Sequence, residues 1–453
     1  MNDVVAVVMA GGMGERLRPL TDVRAKPAVP FGAVYRIIDF TLSNCVNSRI
    51  SRVFVLTQYK SHSLSNHLKA GYSFFSRRLN QFVDEIPAQM QLGSHWYKGT
   101  ADAIRQNLAL VEGCTPRHVA ILSGDHVYKM DYRHMRRFHD TKSAALTVAV
   151  MRVPVEMARG AFGVLEVDQD DRIIGFEEKP ADPKPIPGTN MCLASMGLYF
   201  FTMGALRCCL DNDRADFGKD IIPEMIAKGD KVYAFDFNLR NLVGEYEYQV
   251  QSGKRVKRLV ERSMDSDYWR DVGTLDAYWA ANLDLVAAAP KFNLYGERWP
   301  LFNSPIHYPP AKFVHDGIGR TGIAVNSIVS DGVIISGARV RRSVLGPGIF
   351  VHSYTEIDDS VLMGGSMVGG ILIDTAIGRG CRIRNAIIDK CANIPEGTVL
   401  GFDRLEDEKR GFKCVSIPNS EQHIVVVPRD FGMDMRTIIE GAVVEPCDVC
   451  DPH

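Results

Sequence analysis

Three glycines follow the first apolar run of the chain, in Gly11-Gly12-Met13-Gly14-Glu15-Arg16. Glycines after a strand let backbone N–H groups approach a phosphate closely, and the N-terminus of a following helix would add positive potential. Arg16 lies inside this loop, and Lys26-Pro27 follows ten residues later in a stretch that its prolines should keep extended. Two cations beside one glycine loop suit a triphosphate whose charge must be neutralised before it reacts. Either cation taken alone also suits a surface ion pair. A dinucleotide fingerprint would need glycine in place of Leu17 and an acid in place of Gln58, and the Gly-Lys-Ser/Thr of a P-loop is absent. The loop therefore reads as a nucleotide site of neither kind.

Two acids could complete such a site. Asp125 follows the strand-like Val119–Leu122, where a parallel sheet places catalytic groups, and Asp271 follows Trp269-Arg270. Carboxylates from distant positions can share one Mg2+, a hard ion that favours carboxylate and phosphate oxygens. Each acid alone also suits a helix cap or a turn. Glu178-Lys179-Pro180, after the strand-like Ile173–Phe176, offers an acceptor for hydroxyls beside a cation for a phosphate. The same tripeptide is a common surface turn.

The elements that must position these groups alternate up to about residue 290. Strand candidates are Val4–Met9, Val53–Thr57, Val119–Leu122, Ala145–Met151, Phe162–Val167, Met196–Phe201 and Val232–Phe237. Several are Val, Ile and Leu runs without polar alternation, as expected where both faces are covered. Arg36–Asn47 and Thr100–Glu112 carry apolar residues at helical spacing. Alternation of this kind predicts an α/β domain over 1–290 with a Rossmann-like, mixed and mostly parallel sheet. Residues 291–318 are rich in Pro, Asn and aromatics and read as a connection. Over 319–430, Ser327-Ile-Val, Ser343-Val-Leu and Ser360-Val-Leu recur 16 and then 17 residues apart, and Ala386-Ile-Ile returns later. Aliphatics also recur about six residues apart, from Ile334 to Val340 and from Ile377 to Ile383. That periodicity predicts a parallel β-helix rather than a β-sandwich, whose strands are longer and more aromatic. Residues 431–453 form a tail carrying Cys447-Asp-Val-Cys450, one knuckle where a zinc site normally needs two.

A net charge of −1 over 453 residues gives no electrostatic footprint for nucleic acid or a membrane surface. The basic run Lys254-Arg-Val-Lys-Arg258 reads as a solvated helix face. No apolar stretch nears the ~20 residues that span a bilayer, and Val4–Met9 lacks the basic lead of a signal peptide. Ten scattered cysteines predict reduced thiols in a cytoplasm.

The strings combine into a resemblance. Ala10-Gly-Gly-Met-Gly-Glu-Arg-Leu-Arg-Pro-Leu-Thr21, Arg24-Ala-Lys-Pro-Ala28 and Phe31-Gly32 resemble the start of bacterial glucose-1-phosphate adenylyltransferases. The likeness continues in family order through Arg36-Ile-Ile-Asp-Phe40, Leu42-Ser-Asn-Cys45, Thr57-Gln-Tyr59 and Trp96-Tyr-Lys-Gly-Thr-Ala-Asp-Ala103. Ser123-Gly-Asp-His-Val-Tyr128, Phe176-Glu-Glu-Lys-Pro180, Ala194-Ser-Met-Gly197, Asp216-Phe-Gly-Lys-Asp220 and Tyr268-Trp-Arg-Asp-Val-Gly-Thr274 complete it.

The resemblance implies a nucleotidyltransferase domain followed by a left-handed β-helix, and transfer of an adenylyl group from ATP to glucose 1-phosphate with Mg2+. By the same resemblance Asp125 and Asp271 hold the metal, and Arg16, Lys26 and Asp125 serve catalysis. Gly11, Gly12 and Gly14 line the nucleotide site, and Gln58 is a candidate for a base or phosphate contact. Lys179 grips the sugar phosphate and Glu178 takes the sugar hydroxyls, with Tyr97, Gly163 and Ser195 at further sugar-phosphate positions. With an anionic phosphate as nucleophile no strong base is needed, and His126 is expected only to pack or support. Arg24, Arg36 and Arg429 match positions that hold anionic metabolite effectors in a homotetramer. Val23 stands where some members have a lysine, and Pro30 where they have a histidine. A hydrocarbon cannot hold a phosphate, which argues against activation by fructose 1,6-bisphosphate. The alternatives are a UDP- or dTDP-glucose pyrophosphorylase, or a silent regulatory or scaffold chain.

Overall fold

The structure, a computed structural model, describes residues 1–89, 96–304, 307–368 and 371–433. The cysteine pair at 447 and 450 lies outside the described residues. The first sheet is built from nine strands: β1 (Val4–Met9), β2 (Arg52–Thr57), β3 (Phe82–Pro87), β4 (His118–Ser123), β5 (Leu146–Pro154), β6 (Gly163–Val167), β7 (Ile173–Glu178), β8 (Met191–Thr202) and β9 (Val232–Asp236). Strands β3, β2, β1 and β4 run parallel in that order. The long β8 then pairs antiparallel with β4, β5 and β6, so the sheet is mixed. Between Ser195 and Tyr199 its register with β5 shifts, which bends β8 where it passes from one neighbour to the next. β3 leaves no apolar run in the sequence, because its polar Asp84-Glu85 interrupts one.

Helix α1 (Ile37–Asn47) covers one face of the sheet and opens with a capping box, in which the Arg36 N–H donates to Asp39 Oδ2 at 2.7 Å. The segment expected as one helix over Thr100–Glu112 is two, Thr100–Gln106 and Leu108–Gly113. They part at Asn107, whose side chain donates to the Ala103 carbonyl at 2.8 Å and to the Tyr97 hydroxyl at 2.9 Å. The basic run is a strand and not a helix face. Lys254–Val260 pairs antiparallel with Glu245–Gln251 across Ser252-Gly253, both of positive φ, and this tight turn decides the conformation.

Beyond residue 311, short strands stack into three faces of parallel pairs, the architecture expected of a left-handed β-helix. Val340, Ile357 and Ile383 lie in register on one face, and Ile335, Val351 and Ile377 follow one another on the next. The repeated serines form a ladder. Ser343 N donates to Ser327 Oγ, Ser360 N to Ser343 Oγ, and Ala386 N to Ser360 Oγ, at 3.1–3.2 Å. The first stacked strand, Lys312–Val314, already pairs with Ile334–Ser336 and lies within the stretch read as connection.

The two units share a buried apolar cluster. Leu17, Phe31 and Phe40 meet Val344, Ile387 and Val426 there. Among the described residues no helix is long and apolar enough to cross a membrane, and the eight described cysteines are all free thiols.

Candidate active site

Three adjacent parallel strands deliver the nucleotide-site residues to one edge. Met9 is in register with Leu56 and with Ser123, so the glycine loop, Gln58 and Asp125 all emerge at the carboxyl ends of β1, β2 and β4. Gly11, Gly12, Lys26, Gln58, Tyr97 and Asp125 line a cavity of about 390 Å³ there. Gly11 packs closely on the end of β2, where a Cβ would stand 3.2 Å from Gln58 Cβ and press that side chain aside. Gly14 takes φ 64 and packs against Lys26 and Thr21, whose hydroxyl donates to its carbonyl at 2.9 Å.

The expected helix after the loop is absent. Glu15–Leu17 makes a single 3-10 turn, too short for a helix dipole, so positive potential must come from backbone N–H groups and the cations. Lys26 likewise sits on a 3-10 turn, Lys26–Ala28, rather than in an extended stretch.

Asp125 and Asp271 converge. The short strand Trp269–Asp271 pairs antiparallel with His126–Tyr128, placing Asp271 opposite His126. Lys26 Nζ donates to Asp125 Oδ2 at 2.9 Å and to Asp271 Oδ1 at 2.8 Å, bridging the two carboxylates. Burial works against charge at Asp125, but the Lys26 ammonium, His126 and a hydrogen bond from Ser123 outweigh it and hold the carboxyl well below its usual range. Burial would lower the Lys26 ammonium, yet the two carboxylates raise it above its ordinary value. His126 packs its ring against Trp269 at 4.8 Å. Its Nε2 stands 3.5 Å from Asp125 Oδ1, and Asp125, His126 and Asp271 each offer a ligand atom within 4.8 Å of the others. Burial lowers the imidazole and favours its neutral form. Arg16 is exposed, and its guanidinium approaches Gly273, beside the Asp271 carboxylate.

Gly163, Glu178, Lys179 and Ser195, the residues expected on the sugar side, lie on or beside the antiparallel half of the sheet. Gly163 is in register with Glu178, and a Cβ there would lie 2.5 Å from Phe176 Cζ and 2.9 Å from Glu178 Oε2. Burial, joined by Asp216, pushes the Glu178 carboxyl up despite Lys179 and Lys219. Lys179 takes φ 51, donates its N–H to the Phe162 carbonyl at 3.1 Å, and makes no ion pair among the described residues. Phe162 stacks edge-on against Trp269 at 5.8 Å, which links this side to the Asp271 strand. Ser195 lies at the bend of β8, and Tyr97 lines the cavity of the glycine loop.

The three arginines separate. Arg24 is fully buried in a bidentate pair with Asp389, at 2.9 and 3.0 Å. Arg36 and Arg429 instead line a cavity of about 460 Å³ at the junction of the two units, with Lys390, His62, Val23 and Pro30. Burial and the neighbouring Arg36 and Arg24 depress the Lys390 ammonium to about 7. Sequence reasoning missed Lys390, because only the stacking of the β-helix brings it to Arg36. The hydroxyl of Ser123, two residues before Asp125, donates to that carboxylate, a contact that sequence spacing alone does not reveal.

Comparison with known proteins places the whole chain in a family. Residues 5–288 match the family model described as Nucleotidyl transferase, and residues 309–427 match GlmU-like, C-terminal hexapeptide. The chain is 46% identical over 435 residues to glucose-1-phosphate adenylyltransferase 2 of Pseudoalteromonas atlantica, covering 94% of this chain and 95% of that one. Glucose-1-phosphate adenylyltransferases of Alteromonas mediterranea and Shewanella oneidensis are also 46% identical over 94% of this chain, covering 92% and 95% of theirs. By likeness extending over almost its full length, the chain belongs to the glucose-1-phosphate adenylyltransferase family.

Proposed function

We propose that this chain transfers the adenylyl group of ATP to α-D-glucose 1-phosphate, releasing pyrophosphate and supplying ADP-glucose for glycogen synthesis. The observation that carries this reading is Lys26 held between Asp125 and Asp271 at the edge of the glycine-loop cleft. A phosphate oxygen of glucose 1-phosphate attacks the α-phosphorus of ATP in line. The new P–O bond forms as the bond to the β-phosphate oxygen breaks, and pyrophosphate leaves with that electron pair. The nucleophile is already anionic, so catalysis is positioning and charge neutralisation.

Transferases of this kind use a divalent metal, and we assign Mg2+, because two carboxylates form a hard oxygen set. When bound, that ion supplies charge neutralisation at the reacting phosphates. Asp125 stays ionised across the working pH range and keeps its share of the site. Lys26 and Arg16 neutralise the triphosphate, the backbone of Gly11, Gly12 and Gly14 approaches it, and Gln58 contacts base or phosphate. Lys179, without an ion-pair partner of its own among the described residues, is available to the sugar phosphate. Glu178 accepts from sugar hydroxyls, with Tyr97, Gly163 and Ser195 shaping that side.

Anionic metabolite effectors are assigned to the junction cavity of Arg36, Arg429 and Lys390, with Arg24 holding its wall in place. Val23 and Pro30 give that cavity an apolar portion, which disfavours a second phosphate there. A homotetramer in the cytoplasm is the assembly and compartment we infer from the family likeness and the free thiols. The deciding experiment compares pyrophosphate release from ATP, UTP and dTTP, each with glucose 1-phosphate and Mg2+. ATP is expected to react fastest; faster turnover with UTP or dTTP would overturn the assignment.

A further inference from the structure

The C-terminal closure of the β-helix holds a second group of ligand-type side chains, far in function from the cleft. Helix Arg404–Lys409 follows the last coil strand, and the hairpin Lys413–Ser416 with His423–Val427 then folds back over it. Asp407 comes from the helix, Cys414 from the outer strand and His423 from the start of the inner strand. One ligand atom from each lies within 4.8 Å of the other two. Asp407 Oδ2 accepts from Gly401 N at 2.9 Å and stands 3.0 Å from His423 Nε2. Asp407 and His423 are buried and Cys414 is half-buried, so the group keeps contact with solvent.

A buried histidine–aspartate hydrogen bond accounts for two of these residues without a ligand. It gives no reason for a thiol to share the same few ångströms. A cation seated among them would face the Asp407 carboxylate, the His423 imidazole and the Cys414 sulfur at once. Arg404, the nearby opposing charge, is engaged by Glu408 at 2.7 Å. Thiol, imidazole and carboxylate together suit a borderline divalent ion, whereas Mg2+ and Ca2+ select oxygen.

We propose that Asp407, Cys414 and His423 form a binding site for a thiophilic divalent cation of the Zn2+ class, separate from the carboxylates of the cleft. On binding, Cys414 releases its S–H proton to solvent, and the neutral imidazole offers a ring nitrogen while keeping its N–H on the other. Asp407 gives a carboxylate oxygen, and no electron changes hands. The ion clamps a hairpin that touches the catalytic unit. Lys413 Nζ donates to the Arg18 carbonyl at 2.9 Å, and Ile424 and Val426 pack with Leu17 and Leu20.

The test uses the full chain, reduced and freed of metal by a chelator, with Co2+ as the probe. One equivalent of Co2+ is expected to give a sulfur-to-cobalt charge-transfer band that Zn2+ abolishes and excess Mg2+ leaves intact. The band should vanish in Cys414→Ser, with basal turnover retained as evidence of folding, and persist when Cys447 and Cys450 are both replaced by serine. His423→Gln should weaken Co2+ binding at least tenfold. Absence of the band in the unaltered chain, or its survival in Cys414→Ser, would overturn the proposal.

Discussion

Arg24 and Asp389, 365 residues apart in the chain, close a bidentate ion pair in which neither side chain is more than 2% exposed. It joins the segment between the glycine loop and Lys26 to a turn of the β-helix, so the two units meet through charge as well as through the apolar cluster. Removing one partner strands the other charge in the interior, at a cost of about 3–5 kcal/mol. Asp389→Asn is therefore expected to lower unfolding stability by about that amount in chemical denaturation. The double change Arg24→Leu with Asp389→Leu should recover most of it. Equal losses in the single and double variants would contradict this account.

Lys26 occupies the space between the Asp125 and Asp271 carboxylates proposed to hold the metal, so its removal should move two quantities in opposite directions. Lys26→Ala is expected to cut kcat roughly 10²–10³-fold, while the Mg2+ concentration for half-maximal rate falls. A metal titration of both proteins checks this, and an unchanged or raised Mg2+ requirement would count against competition between ammonium and metal.

Asp125→Asn removes the carboxylate whose charge Lys26, His126 and Ser123 together sustain. Turnover should drop roughly a hundredfold or more under saturating Mg2+ and substrates. Near-normal turnover would refute the role.

On the sugar side, Lys179→Gln should mainly raise KM for glucose 1-phosphate, leaving KM for ATP little changed. Gly163→Ala should do the same by another route, because the added methyl meets Phe176 and displaces Glu178. Steady-state kinetics with each substrate varied would show this split, and a KM rise confined to ATP would reverse the assignment.

The junction cavity carries a pH signature. Lys390, depressed to about 7, is largely neutral at pH 8, and a bound anion favours its charged form. Anion affinity should therefore strengthen as pH falls from about 9 towards 7 and level off below that. Sulfate, whose own charge is constant in this range, is the suitable probe in a thermal-shift titration. Lys390→Met should flatten the profile; a wild-type affinity that rises with pH would exclude the mechanism.

Much of this protein was legible in its residues because the relevant physics is local. Apolar runs without alternation marked β1, β2 and β4, and a serine every 16 or 17 residues marked one turn of the β-helix, where each hydroxyl accepts the next coil's N–H. The glycines, Arg16 and Lys26 suit a polyphosphate by type and spacing, and the fold sets Gly11, Gly12 and Lys26 along one cavity. Local pattern failed where neighbours decide: Lys254–Val260 became a strand because a tight turn pairs it with Glu245–Gln251. What no spacing could state is distance between remote residues. Only the folded sheet set Asp271 opposite His126 and laid Lys26 between two carboxylates. Only the stacked coils separated Arg24, spent on Asp389, from Arg36 and Arg429, because burial and charge pairing depend on what the whole chain brings near, and not on the residues beside each one.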